Sequence, residues 1–379
     1  MMRRAARGAA PRTRRRVAVL ALTMAILSLA RPGAAQIGAP GPVRFDPALA
    51  DDAPRLRGDF VVAPIPFSNP TIESGLGLAA AYLFEADPGS GTSYVGAGAF
   101  GSTNDSRGAA LGTSLSLSGD AWRLSAVAGA AEVFYDLYFD DRALPIAQSG
   151  WLGRVEAQRR IADGVYLGLR LRYLSVDTRV RFSSIGGGLI PDLGAEVTAG
   201  LVGPTLEADF RDDDIAPRAG WRLQAAALQS FDEPFEDFGA GDYQSATLLF
   251  DHFTPLFSGD ALAVRLAACG VTGDAPFFEL CSLGGDDGFR GYASGRYLGR
   301  RLLSAQAEYR GRFSERWGWV AFGGVSGVAD ALGDDDVIKP AGGVGLRYRL
   351  SRDFGLDFSA DIAFGDEGAT GYVYLGQAF

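Results

Sequence analysis

Along most of its length the chain alternates apolar residues with polar residues or glycine at every second position. Leu111, Thr113, Leu115 and Leu117 fall on one side of a segment whose other side is Gly112, Ser114, Ser116 and Ser118. From Phe354 to Phe364, Phe354, Leu356, Phe358, Ala360, Ile362 and Phe364 alternate with Gly355, Asp357, Ser359, Asp361 and Ala363. Val344, Leu346, Tyr348 and Leu350 likewise alternate with Gly343, Gly345, Arg347 and Arg349. A period of two is that of a strand with one apolar face. Strands of soluble proteins average ~5 to 6 residues. These run about 9 to 12, the length a tilted strand needs to cross a bilayer.

Sixteen such strands are predicted, near residues 59–67, 73–84, 92–103, 108–119, 121–135, 150–161, 164–178, 196–210, 219–230, 242–256, 260–272, 299–313, 317–329, 337–350, 354–364 and 370–379. Short connections at 119–120, 162–164, 258–260, 314–316 and 352–353 alternate with longer ones at 136–149, 179–195, 231–241, 273–298 and 330–336. An even count with short periplasmic turns and long extracellular loops is the pattern of a bacterial outer-membrane barrel. The expected fold is therefore all-β, a 16-stranded antiparallel transmembrane β-barrel over residues 59–379. Aromatics at Tyr166, Tyr173, Trp317, Trp319, Tyr372 and Tyr374 stand near strand ends, where interfacial girdles occur.

Residues 1–35 break the pattern. Arg3, Arg4, Arg7, Arg12, Arg14, Arg15 and Arg16 precede an apolar run from Val17 to Ala30, and Gly33-Ala34-Ala35 supplies small residues ahead of Gln36. This is the layout of a secretory signal peptide, and residues 36–58, rich in Pro and Gly, are expected to form a periplasmic linker. Taking the leader's eight Arg from the formal net charge of −9 leaves −17, which disfavours nucleic acid as a partner. Glycine, 52 of 379 residues, is about twice its ordinary share, which argues further against helix.

The loop at 273–298, between strands eleven and twelve, carries Phe289-Arg290-Gly291-Tyr292. That tetrapeptide resembles the Arg-Gly-aromatic loop tip of the BamA/TamA superfamily, the bacterial surface antigens. Asp209-Phe210-Arg211 through Pro217-Arg218-Ala219-Gly220 resembles that family's turn before its ninth strand, and Ala307-Glu308-Tyr309 its twelfth strand. The resemblance implies a loop inserted in the lumen, with its Arg docked near strands twelve and thirteen. A desolvated guanidinium needs a partner, and Glu308, on the polar face with Ser304, Gln306 and Arg310, is the expected one. Many relatives have an Asp on strand thirteen where this chain has Gly323-Gly324, so Glu308 stands as sole wall partner unless a loop acid such as Asp286 assists. Cys269 and Cys281, 12 positions apart, are expected to form a disulfide at the loop's base.

Val373, Leu375 and the terminal Phe379 resemble the C-terminal signal read by the barrel-assembly machinery, with Gln377 a departure. Family members usually carry periplasmic POTRA domains, for which residues 36–58 leave no room, so a barrel-only member is expected. A separate periplasmic partner and outer-membrane lipids would then be its contacts. Pro64 and Pro66 remove backbone donors from the first strand and should weaken the seam where it meets the last.

No enzyme is expected. His252 is the sole His, no Gly-x-Ser-x-Gly elbow accompanies it, and outer-membrane lipolysis is a minor alternative. Asp212-Asp213-Asp214 and Asp334-Asp335-Asp336 fit solvated loop charge better than a calcium site, and neither metal nor cofactor is expected. The leading functional expectation is outer-membrane biogenesis, by protein insertion or translocation or by lipid transfer. A passive, porin-like solute channel is the alternative.

Overall fold

A computed structural model describes residues 59–379 apart from 88–89, 140–141, 182–192, 214–215, 232–240, 257–258, 286, 332–335 and 351–356. The expected leader, the linker, Asp286 and Asp334-Asp335 therefore lie outside the described residues. Sixteen strands form the wall: β1 (Asp59–Asn69), β2 (Glu73–Glu85), β3 (Thr92–Ser102), β4 (Arg107–Leu117), β5 (Trp122–Phe139), β6 (Arg142–Ala162), β7 (Val165–Val180) and β8 (Leu193–Asp209). They continue as β9 (Gly220–Phe231), β10 (Tyr243–Pro255), β11 (Ala261–Gly273), β12 (Leu298–Arg312), β13 (Trp317–Ala331), β14 (Val337–Arg349), β15 (Asp357–Gly365) and β16 (Gly368–Leu375). Each pairs antiparallel with the next, and β16 returns to β1 to close the sheet. A two-residue bridge, Cys281–Ser282, adds to β12 from the loop.

Closure is uneven. β1 and β2 pair over their full lengths, from Asp59 with Leu83 to Asn69 with Glu73. β1 and β16 meet in register at one pair, Ser68 with Val373. The seam is the weakest junction of the wall.

Polarity is inverted relative to a soluble protein. On β15, Asp357, Ser359 and Asp361 are buried inside while Ile362 and Phe364 are exposed outside. Leu167, Leu169 and Leu171 of β7, with Val344 and Leu346 of β14, extend the apolar outer belt. Such a surface is stable only in hydrocarbon, as the wall of an outer-membrane barrel.

The sense of the alternation reverses along the tall strands. On β5 the outward positions run Trp122, Leu124, Ala126, Ala128 and Ala130, then Glu132 and Asp136; the inward ones begin with Arg123 and Ser125 and end with Val133, Tyr135 and Leu137. On β7 the outward Leu167, Leu169 and Leu171 give way to Ser175, Asp177 and Arg179, as the inward Arg170 and Arg172 give way to Leu174 and Val176. Trp151 stacks on Tyr173 with ring centroids 4.9 Å apart at this boundary. Below it the outer face meets lipid; above it the outer face meets water and the inner face supplies an apolar core.

This corrects the expected loop at 136–149. β5 and β6 pair continuously from Trp122 with Arg159 to Phe139 with Arg142, because the reversed alternation is still a strand pattern. Three of the expected girdle aromatics are corrected as well. Tyr166 and Tyr374 are buried in the lumen and Tyr372 points there too, as strand parity dictates, whereas Trp317 and Trp319 are outward.

Candidate functional site

The long loop leaves β11 at Gly273 and rejoins the wall at Leu298. Cys269 near the end of β11 is disulfide-bonded to Cys281, which pairs with Gly299 of β12, so the loop's base is tied to both flanking strands. Closing so short a loop restricts the unfolded chain by about 3 kcal/mol. Phe277, Phe278, Leu280, Leu283, Phe289 and Tyr292 then pack against the inward apolar positions of the tall strands, including Val133, Leu137, Ile146, Leu174 and Leu201. Apolar burial is what turns the loop inward: six large side chains would otherwise face water.

Arg290 is carried to the wall at the tip. Its Nη2 donates to Glu308 Oε2 at 2.6 Å, its Nη1 donates to Asp361, and its guanidinium lies 3.5 Å from the centre of the Phe322 ring. The expected Glu308 contact is therefore present. Glu308 is not the sole partner, however: the second carboxylate comes from Asp361 of β15, which also accepts from Arg347 and, at 2.6 Å, from the Tyr374 hydroxyl. Asp361 occupies the space that Gly345 leaves open, since a Cβ there would stand 1.9 Å from Asp361 Oδ1. Its signal was visible in the sequence as an inward acid on β15. What the sequence lacked was the loop's path.

Neighbouring residues fix the tip. The Gly291 amide donates to the Tyr372 hydroxyl at 2.8 Å, and Gly291 adopts φ 121°, open to glycine at little cost. Tyr292 donates to the Pro340 carbonyl at 2.6 Å. Asp287 accepts from Ser326 Oγ at 2.6 Å and from the Gly284 and Phe289 amides at 2.9 and 3.1 Å. Burial would lower the pKa of Arg290, but the Glu308 and Asp361 carboxylates outweigh it and hold the guanidinium above its ordinary value. Burial raises the carboxyl of Asp287 despite its three donors.

A second anchor, absent from the sequence reading, holds the loop to the wall on β7. Glu279, in the 3-10 turn Phe277–Glu279, is fully buried and accepts from Arg172. The loop thus spans the lumen between two ion pairs of opposite sense, an Arg of the loop on wall acids and a Glu of the loop on a wall Arg. At the rim, Arg296 Nε meets Glu367 at 2.8 Å.

The expected C-terminal face needs correction. Val373 lies on the outward side of β16, but the strand ends at Leu375, and Gly376 at φ 88° redirects the chain. Phe379 is buried inside the lumen, packed on Phe253 and Ala263, and does not share the Val373 face. Gln377 bridges Asp357 and Arg347 at 2.7 and 3.1 Å. His252 faces outward near Phe250, 3.1 Å from Thr254 Oγ1.

Solved structures share this architecture. BamA from Haemophilus ducreyi lacking POTRA domains 1-3 matches with a TM-score of 0.58 at 14% identity, over 84% of this chain and 70% of that one. CdiB from Acinetobacter baumannii gives 0.53 at 10% identity, over 84% and 59%. CdiB from Escherichia coli gives 0.53 at 12%, over 83% and 62%. The chain therefore spans about three fifths of each CdiB chain. No family model matches the sequence, and no curated protein does. At these identities the likeness concerns fold: the chain folds as a 16-stranded outer-membrane barrel like those of BamA and CdiB.

Proposed function

We propose that this barrel serves outer-membrane biogenesis, inserting or translocating protein or moving lipid at the seam between β1 and β16, with its lumen closed by the loop at 274–297. The observation that carries this reading is the pairing of a filled lumen with a seam of one registered pair. A barrel built to conduct solute needs an open lumen and gains nothing from a weak wall. Here buried ion pairs of Arg290 with Glu308 and Asp361 hold the loop, and the backbone pairing is thinnest at one junction. The likeness in fold to BamA and CdiB and the Phe289-Arg290-Gly291-Tyr292 tip support the same reading.

The loop tip also touches the seam strand. Tyr372 and Tyr374 of β16 meet Gly291 and Arg290, so opening of the seam and docking of the loop act on the same side chains. Locking the seam tests the proposal. Cysteines replacing Ser68 and Val373, the registered pair, can be oxidised in the refolded barrel. Assembly of an unfolded outer-membrane barrel into vesicles should speed up with the reduced protein and lose that gain when the seam is oxidised. An acceleration that survives oxidation would contradict a seam mechanism; no acceleration in either state would leave lipid transfer, followed with labelled lipid in the same vesicles, as the remaining form of the proposal.

A further inference from the structure

One acid of the plug takes no part in the ion-pair network. Asp287, three residues before Arg290 on the loop, is fully buried. Its Oδ1 accepts from the Gly284 and Phe289 amides, its Oδ2 accepts from Ser326 Oγ of β13, and Gln306 of β12 donates to its backbone carbonyl at 3.2 Å. Every one of these donors is neutral. The charged and titratable groups facing this part of the lumen are Arg290 of the loop, Glu308 of β12, Arg347 of β14, Asp361 of β15 and Tyr372 and Tyr374 of β16, while β13 presents the neutral Ser326. They are engaged with one another or with the loop backbone: Arg290 and Arg347 with Glu308 and Asp361, Tyr374 with Asp361, and Tyr372 with the Gly291 amide. Among the described residues no arginine or lysine pairs with Asp287.

The pocket around this side chain suits the acid better than the carboxylate. A buried carboxylate without a counter-charge is costly, and neutral donors offset that cost only in part. Ser304 of β12 stands in register with Ser326, and its buried hydroxyl has no hydrogen-bond partner among the described residues. A protonated Asp287 gains a donor for a neighbouring hydroxyl; an ionised one has only acceptors. The proton thus completes the hydrogen bonding where the loop meets β12 and β13.

We propose that Asp287 is a proton-dependent latch on the plug: protonated, it seats the loop against β12 and β13, and ionised, it loosens that seat, so that the lumen opens more often as pH rises. Linkage gives the sign. In a released loop the carboxyl meets water and regains its ordinary value, whereas burial raises it in the docked loop. The docked loop therefore binds the proton more tightly, and docking weakens as pH rises through the docked value. Acid strong enough to protonate Glu308, Asp361 or the rim Glu367 removes ion pairs of Arg290 and Arg296 and acts in the opposite sense. The latch rests on the loop being the plug and not on what passes at the seam.

The test counts openings of the full-length refolded barrel in a planar bilayer with the same pH on both sides. Openings of the parent should be rare at about pH 5 and about ten-fold or more frequent at about pH 8. Asp287→Asn keeps an acceptor oxygen for the two amides and offers an NH2 group to the serines, so it should open as rarely as the acidified parent at both pH values. A parent whose openings do not change with pH would overturn the latch, as would openings that become commoner on acidification or a pH profile that Asp287→Asn leaves intact. Steady conductance of the parent at every pH would instead overturn the plug itself. If Asp287→Asn does not fold, Ser304→Ala takes its place: it removes the acceptor of the protonated acid and should move the rise in opening to lower pH, and an unmoved profile would overturn the proposal.

Discussion

The two halves of the lumen are built on opposite principles. The outer half is apolar, with Phe277, Phe278, Leu283, Phe289 and Tyr292 of the loop packed on Val133, Leu137, Ile146 and Leu174. The inner half is a network of arginines and carboxylates in which Glu308 accepts from both Arg290 and Arg310, with Arg347 at 3.8 Å, while Asp361 accepts from Arg290 and Arg347. The apolar half tolerates small losses one side chain at a time, because dispersion and burial are sums of many weak contacts. In the ionic half each removal takes a counter-charge from more than one buried partner at once. Arg290 and Tyr292, close neighbours in the loop, belong to different halves, and the plug is fixed where they meet.

Glu308→Ala is expected to have the largest effect. It takes the carboxylate from Arg310 and one of the two from Arg290, leaving only Asp361 to hold the tip, and the docked loop should lose about 3 to 5 kcal/mol, seen as protease cleavage within 274–297 of the folded barrel. Leu283→Ala, in the apolar half, should cost about 2 to 5 kcal/mol in the thermal unfolding of the barrel without exposing the Arg290 side of the loop to protease. Equal protease sensitivity of the two variants would erase the distinction between the halves. Replacing Cys269 and Cys281 together with Ser should cost about 3 kcal/mol and loosen only the loop's base. Gly345→Ala should cost about 1 to 3 kcal/mol by pressing on Asp361; a variant as stable as the parent would show that Asp361 has room to move. Arg107→Ala, outside the lumen, breaks an exposed pair with Glu132 at 2.7 Å and should change stability by about 1 kcal/mol at most.

Much of this was readable from the chain. The number of strands, the place of the long loop and the lumen-facing position of Glu308 follow from period-two alternation, which assigns each side chain to the lumen or to lipid; that Arg290 docks there is what the family resemblance implied. The missing parts share one cause: parity gives the face of a strand but not its surroundings. The segment at 136–149 reads as a loop only if the apolar face must point outward, and above the membrane boundary that rule reverses. Asp361 and Arg172 were visible as inward charges, but their partners depend on how the loop crosses the lumen. Glu279, between Phe278 and Leu280, had no periodicity to mark it. Phe379 follows the parity of Val373 until Gly376 breaks it, and a glycine three residues before Phe379 does not by itself reveal its backbone angle.

The central claim is that the lumen is closed by a loop pinned at Arg290. Single-channel recording of the refolded barrel in a planar bilayer tests it most directly, comparing the parent with Arg290→Ala. The parent should show no steady conductance, and Arg290→Ala should open long-lived conducting states as the loop leaves the wall. A large, steady conductance in the parent, unchanged by Arg290→Ala, would contradict the plug and favour a solute channel.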